Sequence, residues 1–158
     1  MLPSPPVRAG EVNLQGGILP GTCVLEDAGG EREVEMPEVS ATEIYKVVDA
    51  RVPGAEAQFG LRFSRCVGVA GVGVSFGGSA VPGRGQYLNA GDASGVALEL
   101  VDDDNGSIMP AGGYRRVLTV GPGGGAEFNG RAHYFRLGSE PLGGATMEVR
   151  ATVSLDYQ

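Results

Sequence analysis

The chain has 158 residues, with 28 glycines, 10 prolines, no tryptophan and a formal charge of −7. That length suits one domain with a core of its own, and the acidic balance argues against a nucleic-acid partner, which would need a basic face. No apolar run approaches the roughly 20 residues of a membrane helix, and abundant valine, alanine, glycine and proline without leucine-rich helical stretches predict an all-β sandwich or barrel.

In chain order, "MLPSPPVRAG" carries three prolines and reads as an arm, not as part of a packed domain. It lacks the apolar centre of a signal peptide, so a secreted protein would stand here in its mature form. "EVNLQGGIL" places Val12, Leu14, Gly16 and Ile18 on one face. "GTCVLEDAGG" reads as a short strand and turn, and "REVEMPEV" alternates through Val34, Met36 and Val39 with a shift at Pro37. "SATEIYKVVDA" fits a short helix or turn, with Ser40 as N-cap and Glu43 three residues on, the spacing of a capping box. "AQFGLRFSRC" alternates Phe59, Leu61 and Phe63 and leads into Cys66.

"GVAGVGVSFGGS" is a glycine-laced strand. "QYLNAGDASGVALELVDDDNGSIMPAG" reads as strand, turn, strand, with Asn105-Gly106 as a two-residue hairpin signal because both residues tolerate positive φ. "YRRVLTV" sets Tyr114, Arg116 and Leu118 against Arg115, Val117 and Thr119, and "GPGGGAEF" reads as a flexible loop. "AHYFRLG" and the final segment bring the expectation to about eight strands. That final segment alternates without a break: Met147, Val149, Ala151, Val153, Leu155 and Tyr157 are apolar, and the even positions between them are polar. A period of two is the mark of a strand with one face on a core and one in water.

Cys23 and Cys66 are the only cysteines and His133 the only histidine, so they cannot complete a four-ligand zinc site alone. An even, minimal count in an acidic β-rich chain suggests one structural disulfide and an oxidising compartment; two unrelated buried thiols are the alternative. A loop of this length would be stabilised by about 4 kcal/mol on closure.

Three motifs imitate chemistry. "GVSFG" (73–77) matches the Gly-x-Ser-x-Gly elbow, with Asp102 to Asp104 and His133 following in hydrolase order. The elbow needs a strand turning sharply into a helix, whereas Ser75 sits within an alternating strand followed by "GSAVPGRGQ". "VDDDNGS" resembles a calcium loop, but counting back from Gly106 puts Val101 at the first ligand position. "GPGGGA" has no crossover helix behind it and no P-loop lysine. No catalytic residue, metal site or cofactor is expected, and His133 reads as a rim or partly buried residue.

The two ends of the chain complement one another. A last strand with an apolar inner face and no successor implies an incomplete sheet whose edge something must cover. The proline-rich arm is followed by a loose alternating segment. If the arm of one copy fills the groove of the next, the contact is head-to-tail, does not close, and grows a filament.

Several stretches carry a family resemblance. "GEVNLQGGILPGTCVLE" is similar to the opening of the chaperone–usher pilins, the type 1-like fimbrial subunits, with Gly16 at the donor-strand glycine seven residues before Cys23. "EVEMPEVS", "FGLRFSRC", "GVALELVDDDNGSIMPAG" and "FNGRAHYFRLG" resemble successive family segments, and "ATVSLDYQ" has the penultimate tyrosine of pilin C-termini. The resemblance implies an incomplete immunoglobulin-like sandwich lacking its last strand, completed by a donor strand from a neighbouring subunit, with Cys23 and Cys66 bridged. It implies residues 1–20 as the donor extension, with Val12, Leu14, Gly16 and Ile18 facing the neighbour. Residues 21–158 would be the pilin domain, with Met147, Val149, Ala151, Val153, Leu155 and Tyr157 as a wall of the acceptor groove. The implied partners are neighbouring pilins, a periplasmic chaperone and an outer-membrane usher. The expected function is a non-enzymatic shaft subunit of an extracellular fimbrium, reached through the periplasm and supporting adhesion. The alternative is a minor or tip-proximal binding module for host or abiotic surfaces.

Overall fold

The computed structural model describes residues 15–16, 21–26 and 33–158. The expectations placed on Val12, Leu14 and Ile18, and on most of the 1–20 extension, lie outside the described residues. Eight strands and one short helix follow in the order β1 (Thr22–Leu25), α1 (Ala41–Tyr45), β2 (Ala50–Val67), β3 (Gly71–Gly78), β4 (Val96–Asp102), β5 (Ile108–Met109), β6 (Tyr114–Thr119), β7 (Ala126–Arg136) and β8 (Ala151–Tyr157). They form a five-stranded sheet in the order β1-β2-β7-β4-β5 and a three-stranded sheet in the order β6-β3-β8. Every pairing between these strands is antiparallel.

Alternation decides which face each strand buries. On β3, Val72, Val74 and Phe76 point into the sandwich and are sealed, while Gly73 and Ser75 belong to the outer face. Phe128, Gly130, Ala132 and Tyr134 do the same on β7. The sheets meet through three rings: Phe76 lies 5.0 Å from Phe128 and 6.2 Å, edge to face, from Phe59, geometries that aromatic quadrupoles favour. A polar clamp adds to this contact. The carboxylate of Asp102, fully buried on β4, accepts from the Tyr114 hydroxyl at 2.7 Å and from Arg116 Nη1 at 2.9 Å, both on β6. A buried carboxylate is tolerable only with such partners.

β2 is 18 residues long and does not run straight: its register with β7 shifts between Arg51 and Glu56. Pro53 has no N–H to give a ladder, and Gly54 takes φ +75°, so the irregularity falls where it costs least. Ser40 caps α1, its Oγ accepting from the Glu43 N–H at 3.4 Å. Arg136 ties the same region down, donating to the Val47 carbonyl at 2.7 Å with its guanidinium over the Tyr45 ring.

Three expectations change. Residues 33–39 form no strand: the Pro37 carbonyl accepts instead from the Tyr134 hydroxyl at 3.0 Å, and Met36 and Val39 pack on the core from an irregular path. The β4–β5 connection is not a two-residue turn. Asp102 N–H donates to Ser107 O and Gly106 N–H to Asp102 O, so residues 103–106 form the loop. Gly106 alone has positive φ there. Finally, β8 begins at Ala151; residues 147–150, although in phase with it, form no strand, and Glu148 bonds to Asn89 and Ala90.

Candidate functional site

β8 pairs with β3 in a continuous register, Val72 with Tyr157, Val74 with Leu155, Phe76 with Val153 and Gly78 with Ala151. Side chains in register on adjacent strands share a face, so Ala151, Val153, Leu155 and Tyr157 point to the same side as the sealed residues of β3. Their burial differs sharply. Phe76 is 4% exposed and its partner Val153 is 40% exposed. Ala151 is also exposed, and Leu155 and Tyr157 are half-buried. Thr152, Ser154 and Asp156 on the opposite face are exposed as well, so the first half of β8 is exposed on both faces.

The other edge of β8 pairs with no strand among the described residues, and neither does the outer edge of β1. β1 meets β2 through Thr22–Val67, Val24–Ser64 and Leu25–Phe63, with a register shift around Cys23. Cys23 and Leu25 turn inward against the core, half-buried. The Cys23–Cys66 disulfide links β1 to β2 at that shift, which meets both the count-based expectation and the pairing the resemblance implies. At one end the two edges are brought together: the Tyr157 hydroxyl donates to the Cys23 carbonyl at 3.4 Å. Phe59 and Leu61, inward on β2, are half-buried, whereas Phe63 beside the disulfide is sealed. β1 and β8 thus each leave an edge with no strand partner among the described residues, beside inward apolar side chains that are only partly covered.

Met147 and Val149, expected in the same wall, are half-buried and pack on the core from a different support. Ala90 N–H donates to Glu148 O at 2.8 Å, Ala93 N–H to Thr146 O at 3.0 Å, and the Asn89 carboxamide accepts from Glu148 N–H at 2.7 Å. The Asp92 carboxylate accepts from Ala145 N–H at 2.8 Å and from the N–H and hydroxyl of Thr146. These bonds, the one from Ala145 first, hold its pKa down to about 2. Asn89, Asp92 and Thr146 were not singled out from the sequence. "NAGD" signals a turn, but nothing local announces a partner 54 residues away.

Gly16, the one described member of the expected donor set, is exposed, and a methyl built on it would meet nothing within 4 Å. Among the described residues nothing requires glycine at that position. The hydrolase imitation comes apart in space, since Ser75 lies on the outer face of the three-stranded sheet and His133 on the outer face of the other. His133 Nδ1 is 3.3 Å from Glu56; partial burial, then the nearby Arg51 charge, lowers its pKa. Among the described residues no group of acids, histidines or cysteines could hold a metal ion, and no helix is long and apolar enough to cross a membrane.

A family model described as "Fimbrial protein" matches residues 12–158. Among solved structures, the chain is similar to a chaperone–usher pilus subunit from a structure addressing the molecular basis of rod uncoiling, at TM-score 0.65 and 13% identity, covering 99% of both chains. It is similar to a Burkholderia pseudomallei antigen and type I fimbria protein at TM-score 0.59 and 25% identity, covering 88% of this chain and 90% of that one. It is also similar to the CupB6 tip adhesin of Pseudomonas aeruginosa at TM-score 0.60 and 20% identity, covering 73% of this chain but only 33% of the adhesin. No curated protein sequence matches the chain at a significant level.

Proposed function

The chain belongs to the fimbrial protein family, a family of structural subunits and not of enzymes, and from that premise we propose that it polymerises head-to-tail by donor-strand exchange. The extension at residues 1–20 of one copy fills the groove between β1 and β8 of the next. The observation that carries this reading is Val153, apolar, on the core side of its sheet, beside an edge with no strand partner among the described residues, and 40% exposed. A self-complete sandwich would cover it.

The chemistry of the extension suits the groove. Val12, Leu14 and Ile18 recur with the period of a strand, and each apolar side chain buried would contribute roughly 1.5–3 kcal/mol before entropic costs. An added strand also satisfies edge N–H and C=O groups that would otherwise be buried unpaired, at about 1–3 kcal/mol each. Gly16 then sits where the acceptor is too shallow for a side chain, which supplies a requirement for glycine that no described residue imposes. A contact that joins the extension of one copy to the groove of another leaves a free extension and a free groove at the two ends, so growth continues. Before assembly the same edge needs a temporary occupant. A periplasmic chaperone strand would serve, exchanged for the next extension at an outer-membrane usher, with the finished fimbrium outside the cell and supporting adhesion.

The test is an SDS gel of the oxidised protein, boiled and unboiled, beside a variant lacking residues 1–20. The expected result is an unboiled ladder that collapses on boiling and is absent from the truncated variant. A single monomer band from both folded proteins would overturn the reading.

A further inference from the structure

The acidic loop between β4 and β5 carries an Asn-x-Ser sequence, and we infer that Asn105 is an acceptor for N-linked glycosylation, taking an oligosaccharide from a polyprenyl-diphosphate donor. Asn105-Gly106-Ser107 meets the Asn-x-Ser requirement without proline in the middle. Asp103, two residues before the acceptor, adds an exposed carboxylate for a basic acceptor groove to grip, although it also pairs with Arg131 at 3.0 Å.

The loop's geometry supports this assignment. Residues 103–107 are all exposed at the tip of the β4–β5 hairpin. The Asn105 carboxamide oxygen accepts from the Ser107 N–H at 2.9 Å, an Asx-turn that holds the acceptor and its hydroxyl residue in one compact unit and polarises the amide. The amide nitrogen has one contact to give up, a long 3.3 Å bond to the Tyr114 hydroxyl. Beneath the tip, Asp102 and Asp104 are committed to Arg116, and Asp104 also to Asn129. The acids therefore brace the loop and leave no vacant cation cage.

Asn-Gly pairs are also prone to deamidate, by attack of the glycine nitrogen on the asparagine side chain. Here the Gly106 N–H donates to the Asp102 carbonyl at 2.7 Å, which holds that nitrogen away from the competing ring closure. In the transfer itself, the Asn105 Nδ2 attacks sugar C1 and gives up one proton to the transferase's base. The new N–C1 bond forms as the C1–O bond to the diphosphate breaks, and the polyprenyl diphosphate leaves with the electron pair. β5 is the edge strand farthest from β1 in its sheet, so a glycan on this hairpin would sit away from the β1–β8 groove and leave strand exchange intact. The assignment does not depend on donor-strand register.

The experiment expresses the full chain for export with a bacterial single-subunit oligosaccharyltransferase and an undecaprenyl-diphosphate-linked oligosaccharide, alongside a control acceptor protein. Intact mass and glycopeptide mapping should place the glycan on Asn105 in the wild type and in Ser107→Thr. It should be lost in Asn105→Gln and Ser107→Ala, with thermal melts showing all four proteins folded. An unmodified Asn105 while the control acceptor is glycosylated would overturn the inference. Retention of the glycoform in Asn105→Gln, or conversion of Asn105 to aspartate without any glycan, would do the same.

Discussion

Gly130 on β7 lies directly across the ladder from Phe59 on β2, and the ring covers the glycine so closely that a methyl there would stand 2.3 Å from Phe59 Cζ. The pairing lets one aromatic ring reach from the five-stranded sheet towards Phe76 in the other sheet. Gly130→Ala must push that ring aside. Overpacking of this kind costs about 1–3 kcal/mol, and urea denaturation should show it as a lower midpoint at unchanged slope. Stability within a few tenths of wild type would mean that Phe59 has room to move.

Val153 and Phe76 face the same side, yet they should respond differently to substitution. Phe76→Ala empties a sealed position and should cost about 3–5 kcal/mol in the isolated subunit. Val153→Lys changes an exposed residue and should stay within about 0.5 kcal/mol of wild type, while abolishing the SDS-resistant ladder because a charge then lies in the acceptor groove. A ladder of normal yield from Val153→Lys would remove this position from the interface.

Gly16→Leu tests the donor. Nothing among the described residues opposes the larger side chain, so the melting temperature of the monomer should not change. Polymer yield should fall sharply, and mixing experiments should locate the defect. The variant should accept a wild-type extension in its own groove but fail to donate. Equal yield from both proteins would count against the proposed register.

Asp92 predicts a pH dependence with a definite sign. Its folded pKa, about 2, lies below the ordinary carboxylate value. It therefore contributes stability that is fully present above the unfolded pKa, near 4, and is lost as pH falls towards 2. Asp92→Asn should lower the melting temperature at neutral pH, and the gap between the two proteins should close across that acid window. Parallel curves down to pH 2 would show that the carboxylate does not hold the 145–146 segment.

Much of this molecule was legible in its residues because a strand's burial pattern is local. Val72, Val74 and Phe76 announce an inward face at a spacing of two, and the structure seals all three. Ser40 and Glu43 announced the start of α1 by the same kind of short-range chemistry. The misreadings share a cause as well. Met147 and Val149 continue the alternation of β8, but the bonds of Asp92 and Asn89 claim the neighbouring Thr146 and Glu148 backbone for a loop. Asn105-Gly106 favours a tight turn, but the bond from Gly106 to Asp102 closes a wider one. In each case a partner outside the local window won over local preference.

The sequence alone determined an all-β architecture, the inward residues Val72, Val74 and Phe76, the single bridgeable cysteine pair and the apolar face of β8, since these follow from residue type and a two-residue period. Tertiary structure alone decided which of those apolar faces are sealed. Val153 and Phe76 are equally apolar and equally inward, and they differ because Phe76 has strands on both sides whereas Val153 lies on an edge. Exposure belongs to the neighbours of a residue, and no periodicity records which neighbour is missing.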